Sequence, residues 1–198
     1  LCRDWSSDVC SSDLFVAAEI EIVPAGKARD VGFDRSLISA YGHDDRVCSY
    51  AGVEAIFAVD SLPYTAGGMF MDKEEVGSNG NTGSESLYFE NCVAELLQLQ
   101  NGQYNELLLR RSFTNTKVLS ADVTVAFDPN FPEVLDKRNA SKVNYGICIS
   151  KYTGVRGKGG CSDANAEFVG YVRDVFEDAG VIWQSGELGK VDQGGGGT

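Results

Sequence analysis

The stretch from Tyr145 to Gln184 constrains the fold more than any other part of this sequence. Phe168, Val169, Val172, Val175, Phe176 and Ala179 recur at the spacing that gives a helix one apolar face. Asp163 is placed to cap the start of that helix and Gly180 to stop it. Short apolar runs flank it: Tyr145–Lys151 reads as a strand, and Val181–Gln184 begins another. A helix with one apolar side must bury that side. Strands that alternate with helices achieve this as an α/β sheet with helices on its faces. In such folds functional groups collect where the carboxyl ends of strands meet loops.

The rest of the chain fits the same alternation. Phe15–Pro24 alternates through Glu19 and Glu21 as a half-buried strand would, and residues 25–42 form a connector leading to His43. Asp45–Val59 predicts a helix in which Gly52 is a weak spot. Tyr64–Met71 predicts a buried strand ending at Asp72, and Ser84–Gln100 a helix with Leu87, Phe89, Val93, Leu96 and Leu97 inward. Val118–Asp122 begins a further short strand, followed by a turn at Asp128-Pro129-Asn130. The predicted fold class is α/β: a mixed, largely parallel sheet flanked by helices, and incomplete.

Residues 1–14, "LCRDWSSDVCSSDL", carry the repeat "SSD" and no apolar period. They lack the charged start and apolar centre of a secretory signal. The run "DWSSDVCSSDL" resembles the in-frame translation of a sequencing-library adapter, so residues 1–14 are expected to be an artefact with no fold. The chain is then expected to be a fragment whose upstream sequence is lost, in keeping with the absent initiator Met and the ending at "GGGGT".

Setting that segment aside leaves Cys48, Cys92, Cys148 and Cys161, with no Cys-x-x-Cys spacing, which suits reduced thiols in a cytoplasm. A net charge of −12 argues against nucleic acid and against an anionic membrane surface. No apolar run approaches the ~20 residues that span a bilayer.

Four acidic residues fall where predicted strands give way to loops or helices: Asp44, the adjacent Glu74 and Glu75, and Asp122. Converging carboxylates repel one another unless protons or cations compensate them. A divalent metal can satisfy several at once, leaving one carboxylate to take a proton from an activated water. Neighbouring glutamates suit that division, because side chains at i and i+1 point in different directions. Equally, acids at strand ends can be solvated or cap a helix.

Five blocks in order carry a resemblance: "GHDDRVCSY" (Gly42–Tyr50), "DKEEVGSNGNTG" (Asp72–Gly83), "SADVTVAFDPNF" (Ser120–Phe131), "KYTGVRGKGG" (Lys151–Gly160) and "WQSGELGKVDQGGGGT" (Trp183–Thr198). Together they resemble the aspartyl aminopeptidase / aminopeptidase I family of dizinc metallopeptidases. The resemblance implies a zinc-dependent aminopeptidase that releases N-terminal amino acids from peptides and assembles as a homo-oligomer. It implies that Asp44 bridges two Zn2+ ions (other divalent metals being possible), that Glu75 ligates one and Asp122 the other, and that Glu74 is the general base. Asp45 would support the site or cap a helix. Residues 15–29 would be the last piece of an inserted dimerisation domain, and 30–198 a partial catalytic domain. The alternatives are a related dizinc amidohydrolase or deacylase of the same fold, or a non-catalytic scaffold.

The family's two metal-binding histidines have no counterpart here. His43, the single histidine, matches neither position. The fragment itself is therefore expected to bind metal poorly and to be inactive. "KYTGVRGKGG" places Ser150 where acid-preferring members carry a lysine, with Lys151 beside it, so acidic and neutral N-terminal preferences both remain open. Gly186–Lys190, "GELGK", has the wrong glycine spacing for a phosphate loop. The sequon Asn139–Ser141 reads as chance.

Overall fold

The computed structural model describes residues 15–71, 74, 78–150, 164–187 and 190. The chain falls into two compact units, Leu1–Asp44 and Asp45–Thr198. The division lies within the first turn of helix α1 (His43–Phe57), which otherwise belongs to the second unit.

The first unit contains a hairpin inside the predicted connector. Strands β1 (Arg29–Val31) and β2 (Leu37–Ser39) pair antiparallel, with Arg29 opposite Ser39 and Val31 opposite Leu37. The turn needs left-handed backbone at Gly32 (φ 92°) and Arg35 (φ 56°), and the Arg35 N–H donates to the Gly32 carbonyl at 3.2 Å. Hydrogen bonds from the Ser36 hydroxyl and N–H hold the Asp34 carboxyl below its usual range. The glycine within "VGFDRSL" was the available hairpin signal. The strand predicted over Phe15–Pro24 does not form. A single helical turn at 15–17 leads into extended backbone, and Val16, Ile20 and Ile22 are exposed. Alternation becomes a strand only where another strand accepts its hydrogen bonds.

In the second unit, α1 confirms the predicted helix with a start two residues earlier. Its Gly52 makes room for a ring: a Cβ there would come within 3.3 Å of Phe70, and one at Gly68 within 3.2 Å. Tyr64–Met71, expected to be a buried strand, is instead irregular and mostly exposed, again with no partner strand among the described residues. A cavity of about 240 Å³ lined by Ile56, Val59, Leu62 and Tyr64 lies at the carboxyl end of α1.

Helix α2 (Tyr88–Asn101) begins four residues later than predicted, because Ser84–Leu87 turn first: the Ser86 hydroxyl donates to the Gly83 carbonyl at 2.7 Å. Gly102 (φ 75°) ends it. Val93 and Leu97 are half-buried, whereas Leu87, Phe89 and Leu96, expected inward, are exposed. Helix α3 (Glu106–Asn115) has no counterpart among the predicted elements. Its signal was Asn105 before "ELLL", and the Asn105 side chain indeed accepts from the Leu108 N–H at 3.1 Å. Phe89 and Phe113 (ring centroids 6.0 Å apart) and Arg110, 3.3 Å from Glu90, join α2 to α3.

The constraining stretch folds as a βαβ unit. Strands β3 (Ile147–Ser150) and β4 (Trp183–Gly186) pair parallel, from Ile147 opposite Trp183 to Ser150 opposite Gly186, with α4 (Ala166–Asp178) between them. The cap is Asn165, whose side chain accepts from the Phe168 N–H at 2.9 Å, and not Asp163, which lies outside the described residues. Gly180 (φ 65°) stops the helix as expected. Gly146 (φ 83°) leads into β3 so close to β4's lead-in that a Cβ would lie 2.1 Å from the Ile182 carbonyl oxygen.

The strand predicted at Val118–Asp122 reduces to one isolated parallel bridge, Ala126 with Ser141. The Asp128 turn forms, its carboxylate accepting from the Asn130 N–H at 2.8 Å.

Among the described residues, Leu109, Leu135, Ala140 and Val172 are buried apolar side chains. Helices and small sheets, with no closed barrel among the described residues, make this an incomplete α/β domain. Among the described residues, Cys92 and Cys148 form no disulfide. Burial pushes the Cys148 thiol up, whereas Cys92 is exposed.

Candidate metal centre

Helix α1 opens with His43, Asp44 and Asp45. The Asp45 carboxylate turns back to accept from the Cys48 N–H at 3.3 Å, the local bond of a residue satisfying a free amide in a helix's first turn. Asp44 is exposed and Asp45 half-buried. Asp122 stands in the irregular segment after α3, and its Oδ1 accepts from the Val123 N–H at 2.7 Å, which orients the carboxylate.

The three carboxylates of Asp44, Asp45 and Asp122 each offer an oxygen, and these oxygens all lie within 4.8 Å of one another. Two of the three metal residues implied by the sequence resemblance thus come together. The third, Glu75, lies outside the described residues. The sequence reading placed Asp45 only in support of the site, and its carboxylate stands in the cluster itself. The signal for that was the Asp44–Asp45 pair at a helix start.

Like charges this close repel, and hard oxygen donors are what divalent cations prefer. The donor set therefore fits a cation shared among the three.

Glu74 is half-buried and is not part of that cluster. Its carbonyl accepts from the Ser78 N–H at 3.2 Å. Ser78 has left-handed backbone (φ 59°) and is 3% exposed, and its hydroxyl has no hydrogen-bond partner. The loop glycines answer to geometry: a Cβ at Gly83 would lie 2.1 Å from the Ser78 carbonyl oxygen, and Gly80 has φ +124°. His43 is exposed at the first position of α1.

Two weaker motifs resolve into structure. Gly186 is buried at the end of β4, where a Cβ would come within 3.0 Å of the Asn139 carbonyl oxygen and the Cys148 Sγ, so close packing accounts for the first glycine of "GELGK". The sequon asparagine Asn139 spends its side-chain amide on Asp136 (3.2 Å). The block Lys151–Gly160 lies outside the described residues, as does most of the last block beyond Glu187.

The sequence profile of the family described as "Aminopeptidase I zinc metalloprotease (M18)" matches residues 5–198, a range that begins inside the segment set aside above. A "Probable M18 family aminopeptidase 1" from Clostridium acetobutylicum is 52% identical over 191 residues, covering 96% of this chain and 41% of its own length. The crystal structure of aminopeptidase I from Clostridium acetobutylicum superposes with a TM-score of 0.82 at 48% identity, over 98% of this chain and 41% of that one. A structure titled as an S. cerevisiae mApe1 dodecamer gives a TM-score of 0.63 at 25% identity, over 82% and 37%. The chain therefore spans about two-fifths of the length of these relatives. A profile matched along nearly the whole chain, together with this identity and this likeness of fold, establishes its family: the chain belongs to the aminopeptidase I zinc metalloproteases, M18.

Proposed function

We propose that the complete protein is a zinc-dependent aminopeptidase that releases N-terminal amino acids from peptides. The observation that carries this reading is the meeting of Asp44, Asp45 and Asp122 within 4.8 Å in a chain of this family. Asp44 and Asp122, with Glu75, would hold two zinc ions. Carboxylate oxygens are accepted zinc donors, so the residues fit the metal. When bound, zinc supplies Lewis acidity toward a water and toward the scissile carbonyl.

The rest is the work of this chain's residues. Glu74, outside the cluster and half-buried, takes a proton on its carboxylate from the attacking water and returns it to the leaving amine. The hydrogen bond from the Ser78 N–H to its carbonyl helps to fix its backbone. Asp45 holds the first turn of α1 through Cys48, and so holds Asp44 beside it.

His43 is the chain's single histidine, and the resemblance implies that neither of the family's ligand histidines falls there. As a separate polypeptide the chain is therefore proposed to hold zinc weakly and to be inactive. Residues 15–29 are proposed as the end of a dimerisation domain and 30–198 as part of the catalytic domain. A homo-oligomer is proposed for the complete protein, in keeping with the yeast dodecamer. Thiols at Cys92 and Cys148 that form no disulfide support a cytoplasmic location, and no helix among the described residues is long and apolar enough to cross a membrane.

The test is to complete the chain by exchanging residues 15–198 into the Clostridium acetobutylicum relative. Hydrolysis of free amino-acid anilides is expected, with N-acylated substrates left intact. Turnover of the acylated set alone would identify a deacylase, and turnover of neither a scaffold.

A further inference from the structure

Asp122 stands in a segment with no regular secondary structure, yet a carboxylate that holds a metal must be placed by something rigid. Just beyond it, the segment is held by hydrogen bonds that run through two side chains. Ser141, 5% exposed, donates from its hydroxyl to the Val125 carbonyl at 2.9 Å, while its own carbonyl accepts from the Phe127 N–H at 2.8 Å. It thus grips the Asp122 segment on both sides of the Ala126 bridge.

The next residue, Lys142, is gripped in turn by Gln184 on β4. The Gln184 Oε1 accepts from the Lys142 N–H at 2.9 Å, and its Nε2 donates to the Lys142 carbonyl at 3.0 Å and to the Gly146 carbonyl at 3.2 Å. Only a primary amide both accepts and donates in this way from one side-chain end. A third tie, the Glu187 N–H to the Asn139 carbonyl at 2.9 Å, holds the same turn to the end of β4.

We propose that Ser141 and Gln184 are positioning residues that fasten the Asp122 segment to the β3–β4 sheet and so set the place of its carboxylate. The proposal rests on the reading of Asp122 as a metal carboxylate, and its test separates the two.

The isotope-labelled 198-residue chain is followed by NMR with Mn2+ as the probe. In the wild-type chain, Mn2+ is expected to broaden the amides of Asp44, Asp45, Asp122 and Val123 selectively. In Ser141→Ala and Gln184→Leu, broadening at Asp122 and Val123 falls at least threefold and that at Asp44 and Asp45 persists. Ser141→Thr, which keeps the hydroxyl, restores the wild-type pattern. Without metal, Gln184→Leu speeds hydrogen exchange of the Lys142 and Phe127 amides about tenfold and leaves Val172 in α4 unchanged.

Unchanged Phe127 exchange in Gln184→Leu overturns the proposal, as does equal acceleration at Val172, which would mean general unfolding. Undiminished broadening at Asp122 in Ser141→Ala overturns it too. Because the separate chain is expected to bind weakly, Mn2+ is used in large excess; absence of selective broadening even then would sink the reading of the three aspartates as a cation cluster, with exchange still deciding the fastening.

Discussion

The carboxylates of Asp45 and Asp122 lie within 4.8 Å of each other, one in the first turn of α1 and the other beyond α3. Nothing in the local chain brings them together, so the fold holds them there against their own repulsion.

That repulsion yields the first prediction. Without metal, Asp122→Asn removes one of three clustered charges and should stabilise the fold by about a few tenths of a kcal/mol for groups this exposed, raising the thermal midpoint slightly. Added Zn2+ or Mn2+ should stabilise the wild-type chain through preferential binding to the folded state, with roughly tenfold weaker apparent affinity in the variant. Calorimetry with and without the cation measures both. A lower midpoint for the metal-free variant would contradict the arrangement.

Two glycines should respond in opposite directions. Gly146→Ala places a Cβ 2.1 Å from the Ile182 carbonyl oxygen at φ +83°, and should cost about 2 kcal/mol or more. Gly170 lies in α4 with ordinary helical backbone and nothing within 4 Å of its missing Cβ. Gly170→Ala should therefore stabilise by about 0.5–1 kcal/mol, chiefly by restricting the unfolded chain. Denaturant midpoints of the two variants provide the comparison.

A pH dependence is centred on α3. Hydrogen bonds from the Tyr104 hydroxyl and the Arg110 guanidinium hold the Glu106 carboxyl below its ordinary 4.5. The same bond to Glu106 pushes the Tyr104 hydroxyl above its ordinary 10.0. A lowered carboxyl contributes stability above its ordinary value and loses it as pH falls through the lowered one. A raised tyrosine contributes below its ordinary value and loses it as pH rises through the raised one. The advantage of the wild-type chain over Glu106→Gln in thermal midpoint should therefore be greatest between pH 4.5 and 10.0 and shrink on either side. An advantage that grows in acid would reverse the assignment.

Helices were the legible part of this fold. α1 and α4 follow from apolar spacing because a helix closes its own hydrogen bonds and needs neighbours only to bury one face. Phe15–Pro24, Tyr64–Met71 and Val118–Asp122 carry strand patterns equally clear to the eye, yet a strand exists only with a partner. Among the described residues β3 and β4 found one in each other, and these three did not. α3 was missed although Asn105 announces it, because "ELLLRRSFTN" follows so closely on the long helix before it.

At the site, the Asp44–Asp45 pair and the "SAD" aspartate were visible as residues. Their meeting was not, since it depends on Ser141 and Gln184, whose roles are set by backbone groups that no sequence pattern marks.

The most direct test of the whole account is a single substitution in the completed enzyme. With residues 15–198 set into the Clostridium acetobutylicum relative, zinc content and anilide turnover are measured for the parent chimera and for Glu74→Gln. The account predicts two zinc ions per chain in both proteins and turnover lowered at least a hundredfold in the variant, the size of effect expected when a general base is removed. Unchanged turnover in Glu74→Gln, or no stoichiometric zinc in the parent chimera, would contradict it.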